Sequence, residues 1–430
     1  MSIKFSKLGD RFTEDSGISS LMRDLGAALQ SNSSMIFMGG GNPAQFESVN
    51  AIFAREIANV TSNKELFNKY FGTYQSPEGH IEFRKAVSSM LSKELNAEIS
   101  IDNIAISNGS QSAFFIIFNL LAGKTSEGKR RSILLPMLPE YIGYTDIGLE
   151  DNFFVSQRPK IKLLENRFFK YEVDFDNLVI GENIAALCVS RPTNPTGNML
   201  TIKELQKLDV LAKESNIPLN IDCAYGLPFP GVVYGKFKQY FSENTILVYS
   251  LAKLGLPGCR TGIIVGNPKI IDAFNNANVA MNLATSSAGP AVMTEMMKDN
   301  KLLPLCKDKI MPKYKVKLDM TLKLINEIFT DLNYRIHVPE GAFFIWFWFK
   351  DLPISSTALY EKLKKEGVLV IPGDHFFPGV KEDWSHSKQC IRVSYTQDAE
   401  SISKGLRLSL IHISEPTRRR GISYAVFCLK

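Results

Sequence analysis

The sequence predicts an α/β protein, a central and mostly parallel sheet sandwiched by helices, with a smaller α+β domain following it. Three observations carry this. Apolar runs of strand length alternate with helical segments through the middle of the chain. Three of those runs are followed by Asn194, Asp222 and Lys253, spaced 28 and 31 residues apart, which matches a strand–helix–strand unit of about 30. From about residue 300 the pattern changes to isolated aromatic and amphipathic stretches. The 430 residues leave room for two or three folding units at ~150 residues each.

Ile104–Ser107 reads as a short strand, followed by Asn108-Gly109-Ser110 and an apolar helix over 111–121 that stops near Gly123. Ile184–Ser190 is the next strand. Thr201 with Glu204 three residues on is a capping box, opening a helix that runs to about Glu214. Strands are predicted at 217–221, 245–249 and 263–265. If these strands are adjacent and parallel, Asn194, Asp222 and Lys253 emerge at one carboxyl edge, where ligands of open α/β sheets bind. Beyond 300, a helix is predicted over 313–329, an aromatic strand over 342–349 and a short amphipathic helix over 357–366. A strand ending in a turn covers 367–373, and a last strand 390–395. The expected division is an arm of residues 1–50 packing with the small domain, a large domain of 51–300, a small domain of 301–407 and a tail of 408–430.

Hydrophobic residues at 45% and charged residues at 22% are ordinary for a globular chain and exclude a disordered acidic tail, a collagen repeat or a small disulfide scaffold. The longest wholly apolar run, 342–349, is far short of the ~20 residues of a membrane helix. The start, MSIKFSKLGDRF, has no signal-peptide core. Of the net charge of +6, half lies in the tail, where Arg418, Arg419, Arg420 and Lys430 face only Glu415. The body therefore offers no electrostatic footprint for nucleic acid. The six cysteines stand singly without C-x2-C spacing and the five histidines do not cluster, so no metal is expected. Free thiols in a reducing cytoplasm are the simplest reading.

Lys253 sits in Ser250-Leu-Ala-Lys-Leu-Gly-Leu-Pro-Gly-Cys-Arg260, three residues past a strand and among apolar neighbours. Burial disfavours its ammonium form, and a neutral amine is what a Schiff base requires. A surface lysine at a turn would share this local sequence. Ser250 and Arg260 are good phosphate donors. Gly109-Ser110-Gln111 offers free N–H groups where a strand meets a helix N-terminus, although an ordinary N-cap would look the same. Two phosphate-binding elements around an apolar lysine suggest pyridoxal phosphate. That cofactor needs a carboxylate for its pyridine nitrogen. Asp222 fits, as it would also fit an Asx turn. Asn194 and Tyr225 suit the ring hydroxyl, Asn194 before Pro195 being open to plain turn chemistry. Tyr141 is a candidate to cover the ring. Arg392, in an otherwise apolar strand, needs an anionic partner such as a substrate carboxylate.

Taken together, Asn194-Pro-Thr-Gly197, Asp222-x-x-Tyr225 and Ser250-x-x-Lys253 with Arg260 resemble the fold-type I pyridoxal-phosphate aminotransferases of class I/II. Met38-Gly-Gly-Gly-Asn-Pro-Ala44, 107–115, 139–144, 189–198, 224–231 and 250–262 narrow the resemblance to the valine–pyruvate branch of that family, over about residues 5–405.

The resemblance implies a seven-stranded-type central sheet and a two-step amino transfer from a small aliphatic amino acid to pyruvate. It implies that Lys253, Asp222 and Tyr225 are catalytic, with Lys253 as Schiff-base lysine and proton shuttle and Asp222 on the pyridinium. Asn194 and Tyr225 would bond the ring oxygen. Gly109, Ser110, Gln111, Ser250 and Arg260 would hold phosphate, and Tyr141 would stack on the ring. Gly41, Asn194 and Arg392 would meet the substrate. Tyr74 would reach a neighbouring subunit's phosphate, making a homodimer with shared sites. Two positions depart from the pattern. Ala252 stands where many relatives carry Ser. Residues from about 408 read like translated sequencing adapter and not native sequence, and Pro416 argues against a continuous helix there. The donor stays open among valine, alanine and 2-aminobutyrate, and a lyase on the same scaffold stays open too. A cofactor-sensing regulator would need a basic recognition helix, which the 40 or so residues before Gly39 lack. A nicotinamide dehydrogenase would need a G-x-G-x-x-G after a strand.

Overall fold

The structure, a computed structural model, describes residues 3–13, 19, 22–24, 26, 35–350, 352–380 and 382–427, with side chains as far as 413. Its centre is an eight-stranded sheet in the order Ile104–Ser107, Gly262–Val265, Thr245–Ser250, Leu219–Asp222, Ile184–Ser190, Arg130–Leu135 and Gly123–Lys124, with Phe154–Ser156 also paired to Arg130–Leu135. The resemblance implies seven strands. The eighth is the two-residue edge strand Gly123–Lys124, which turns back antiparallel on Arg130–Leu135. The pairs joining 245–250, 219–222, 184–190, 130–135 and 154–156 are all parallel. Every residue of Ile184–Ser190 is buried, as parallel strands covered on both faces require. The strand Gly262–Val265 runs antiparallel to both neighbours. Helices Ile81–Leu95, Ser110–Leu121, Ile202–Glu214 and Pro268–Asn282 pack against this sheet. Thr201 and Glu204 form the capping box in both directions.

A second, six-stranded sheet has the order Ile371–Pro372, Cys390–Ser394, Phe344–Trp348, Arg335–His337, Phe168–Glu172 and Lys160–Leu163. Its last two strands come from the middle of the chain, because Phe168–Glu172 pairs parallel with Arg335–His337. Strand pairing therefore crosses the division expected near residue 300. The stretch expected as one strand at 367–373 is two. Val368–Leu369 pairs with Ile36–Phe37, and Ile371–Pro372 with Cys390–Ser394, so the chain changes partner at Val370. The first of these pairings leads residues 39–42 to the carboxyl edge of the large sheet, where the Gly41 carbonyl meets Lys253.

The helix Ala399–Phe427 is continuous, so the break expected at Pro416 is absent. A proline removes one backbone bond, and the turns on either side supply the rest of the ladder. Among the described residues no helix is long and apolar enough to cross a membrane. Nor does any group of His, Cys, Asp and Glu there have metal-ligand geometry.

Candidate active site

The ends of three neighbouring strands deliver Ser190, Asp222 and Ser250 to one edge, with Ser190 and Asp222 paired in register. The loops that follow carry Asn194, Tyr225 and Lys253. Together with Gly41, Ser110, Gln111, Tyr141, Arg260 and Arg392 they line a cavity of about 290 Å³. Of the expected site residues, Gly109 lies just behind Arg260, and Tyr74 is away from the cavity and 82% exposed.

Lys253 follows the strand Thr245–Ser250 in a single helical turn, Ala252–Leu254. Its Nζ donates to the Gly41 carbonyl at 2.7 Å and lies over the Tyr225 and Phe343 rings. Burial lowers its proton affinity to about 8; the positive charges of Arg392 and Arg260 push the same way and Asp222 opposes them. A useful fraction of the amine is therefore neutral near pH 7.

Asp222 is 7% exposed. One carboxylate oxygen accepts the Ala224 N–H at 2.8 Å and the other the Tyr144 hydroxyl at 2.9 Å. Burial pushes its pKa up to about 6, against these two donors and the charge of Lys253. A carboxylate so placed is stabilised by a cationic partner within the cavity.

Arg392, on the strand Cys390–Ser394, donates to Asn194 Oδ1 at 2.6 Å and to the Gly39 carbonyl at 2.5 Å. Its guanidinium lies over the Phe344 ring at 4.2 Å. Burial brings its pKa down to about 10, so it stays charged. Its Nε has no partner among the described residues. The N-terminal segment that meets both cations is itself pinned, the Ala44 N–H donating to the Tyr314 hydroxyl at 2.9 Å.

At the other end of the cavity the helix Ser110–Leu121 begins, its first N–H groups without intrahelical acceptors. Gly109 caps it with φ +99°, and a Cβ there would lie 2.4 Å from Arg260 Nη2. Glycine thus lets the guanidinium reach the helix N-terminus. Gln111 Nε2 donates to the Gly143 carbonyl at 2.9 Å, while its buried Oε1 has no partner among the described residues. The Tyr141 ring meets Tyr144 edge-on at 5.4 Å.

Two groups that sequence reasoning missed are Tyr144, the donor to Asp222, and Glu140, fully buried against Ser190. Both stand in the stretch 139–144. Spacing gave no sign of either partnership, since Tyr144 and Asp222 are 78 residues apart.

The donor set fits pyridoxal phosphate. An anion cradle lies at one end, an amine of lowered proton affinity and a buried carboxylate lie between, and an arginine with an unpartnered Nε lies at the other end. Ser110, Gln111, Ser250 and Arg260 could hold the phosphate, Lys253 the aldehyde and Asp222 the ring nitrogen.

Residues 45–407 match the family model described as aminotransferase class I and II. The chain is 46% identical over 404 residues to the valine–pyruvate aminotransferase of Escherichia coli strain K12, covering 94% of this chain and 96% of that one. Among solved structures it resembles a putative amino-acid aminotransferase of Psychrobacter arcticum at 40% identity and TM-score 0.93, with 96% and 99% of the two chains covered. It also resembles the valine–pyruvate aminotransferase of Salmonella typhimurium LT2 at 43% identity and TM-score 0.86, covering 94% and 100%.

Proposed function

The chain belongs to the class I and II aminotransferases, a pyridoxal-phosphate-dependent family acting on amino and 2-oxo acids, and we propose that it moves the amino group of valine, or another small aliphatic amino acid, to pyruvate. The products are 2-oxoisovalerate and alanine. The observation that carries this reading is one cavity holding Lys253, Asp222 and Arg392 together, in a chain 46% identical to a valine–pyruvate aminotransferase.

When bound, pyridoxal phosphate supplies the electron sink for the pair left as the substrate α-proton departs. The chain's own groups do the rest. The Lys253 amine would hold the cofactor aldehyde and, as the general base of the site, would take up and give back the substrate α-proton. Its proton affinity, lowered to about 8, suits both directions of that transfer near neutral pH. Asp222 would pair with the protonated ring nitrogen, its carboxylate oriented by the Tyr144 hydroxyl. Arg392 takes the substrate carboxylate, and Asn194, already bonded to it, fixes its fork. Tyr225 and Asn194 would hold the ring oxygen, and Tyr141, which lines the same cavity, would cover the ring.

Lys253, Asp222, Arg260 and Arg392 are the charged residues lining the cavity among those described, and each has a role in this scheme. A second substrate carboxylate finds no free cation there, which favours monocarboxylic acceptors such as pyruvate over dicarboxylic ones. The exposed Tyr74 supports a homodimer in which each subunit completes its neighbour's phosphate site. The five described cysteines are unpaired, in keeping with a cytoplasmic setting. The experiment is incubation of the cofactor-loaded protein with valine and pyruvate. Stoichiometric 2-oxoisovalerate and alanine with ping-pong kinetics are expected. Breakdown of valine without alanine would instead indicate a lyase.

A further inference from the structure

Glu140 is a buried acid beside the cavity that the proposed reaction leaves unused. Its side chain is 0% exposed, and no cation among the described residues pairs with it. One carboxyl oxygen accepts the Ser190 N–H at 2.7 Å. The other makes a short contact with Ser190 Oγ and a long one, 3.3 Å, with the Tyr141 N–H. The Glu140 N–H reaches across to the Phe376 carbonyl at 2.9 Å, and the Phe376 ring lies beneath the Arg392 guanidinium. The residue thus joins three parts of the site: the turn bearing Tyr141, the strand end leading to Asn194, and the segment supporting Arg392.

Ser190 is paired in register with Asp222, so two carboxyl groups sit near each other in an apolar setting. Two such groups without a cation each cannot both ionise cheaply. Asp222 has Tyr144, the Ala224 N–H and the charge of Lys253 in its favour. Glu140 lies deeper. Burial, with the negative charge of Asp222, pushes its pKa up to about 8 despite its hydrogen bonds. The other titratable groups facing it are Cys188 on the same strand as Ser190, and Tyr141 and Tyr144 on the turn. All of these are neutral near pH 7, burial raising each. Lys253 and Arg392 are engaged elsewhere, with Gly41, Asn194 and Gly39.

We propose that Glu140 is a positioning residue acting as a neutral hydrogen-bond donor, fixing Ser190 and the Tyr141 turn around the cofactor and leaving the negative charge of this cluster on Asp222. A proton on the oxygen next to Ser190 Oγ makes that contact a carboxyl-to-hydroxyl bond, while the other oxygen goes on accepting the Ser190 N–H. The idea rests on the cofactor reading above.

The first test needs no cofactor. The infrared difference spectrum of the unloaded wild type against Glu140→Gln at pH 7 should show a protonated carboxyl band that the variant lacks; a band for an ionised carboxylate overturns the proposal. The second is cofactor titration. Glu140→Gln, which keeps a donor toward Ser190 Oγ, should bind pyridoxal phosphate like the wild type and leave the pH midpoint of the bound cofactor's absorbance unmoved. Glu140→Ala should weaken binding about tenfold, the loss expected for stranding buried polar partners. A glutamine variant whose midpoint moves shows that a charge was removed and overturns the proposal. If the alanine variant does not fold, the glutamine variant and the infrared band decide. Wild-type protein that takes up no cofactor would defeat the aminotransferase reading, while the infrared result would still judge Glu140.

Discussion

Gly109→Ala separates two roles that one residue fills. The backbone there has φ +99°, and an added Cβ would sit 2.4 Å from Arg260 Nη2 and 2.9 Å from its Cζ. The guanidinium is the mobile end of an exposed side chain, so it swings away, and the clash itself costs little. Two effects remain. An alanine held at φ +99°, ψ 159°, a region essentially reserved for glycine, is strained by about 1–3 kcal/mol, which lowers the stability of the unloaded protein. Loss of the Arg260 contact to the cofactor phosphate removes a charge-assisted hydrogen bond of about 1.5–3 kcal/mol, which is roughly a 10- to 150-fold rise in Kd. Fluorescence titration of the unloaded protein with pyridoxal phosphate reads the second effect, and urea unfolding reads the first. Gly258→Ala is the control, since a Cβ at Gly258 meets nothing within 4 Å and its φ is not positive. A Kd for Gly109→Ala within twofold of that control would refute the assignment of Arg260 and the helix N-terminus to the phosphate.

Other outcomes follow from the buried charges. Tyr144→Phe removes one of the two donors to Asp222, which should raise its pKa from about 6 by about one to two units. Because the folded value already lies above that of the unfolded chain, ionising Asp222 costs stability as pH rises through the interval up to about 6. In the variant this loss extends to higher pH, so the stability deficit of the unloaded variant should be larger at pH 8 than at pH 5; equal deficits would count against the Tyr144–Asp222 pairing. Capture of the cofactor aldehyde requires the neutral Lys253 amine, so its rate should climb with pH and level off above about 8. Arg392→Met removes a positive charge that holds Lys253 down and should move that midpoint upward, while kcat/KM for valine falls by about a hundredfold. A capture midpoint that does not move would show that the two cations are uncoupled.

The large sheet was legible where apolar runs end in turn residues. Ile104–Ser107 and Ile184–Ser190 are found at the limits read from sequence, as is the Thr201 capping box. Such runs are buried on both faces, so composition alone marks them. Partner choice was not legible. Nothing local in Gly262–Val265 says that it runs antiparallel, and nothing in Lys160–Leu163 and Phe168–Glu172 says that they join the second sheet. Arg130–Leu135, three polar residues followed by three apolar ones, has no alternation to mark it as a strand, yet it holds the Phe154–Ser156 strand in place. At the cavity, the residues whose chemistry is intrinsic, an amine, a carboxylate and a guanidinium after apolar strands, stood out from their neighbours. Those whose role comes from long-range contact did not. Tyr144 resembles any core aromatic until its hydroxyl is seen on Asp222, and Glu140 resembles a surface acid until its burial is seen. Pro416 misled because a proline disfavours a helix interior without forbidding it.

Borohydride reduction of the protein loaded with pyridoxal phosphate, followed by peptide mapping, goes straight to the covalent link. The account predicts one stably labelled peptide, with the pyridoxyl group on Lys253, and no label in Lys253→Ala. Label spread over surface lysines, or persisting at the wild-type level when Lys253 is replaced, would contradict it.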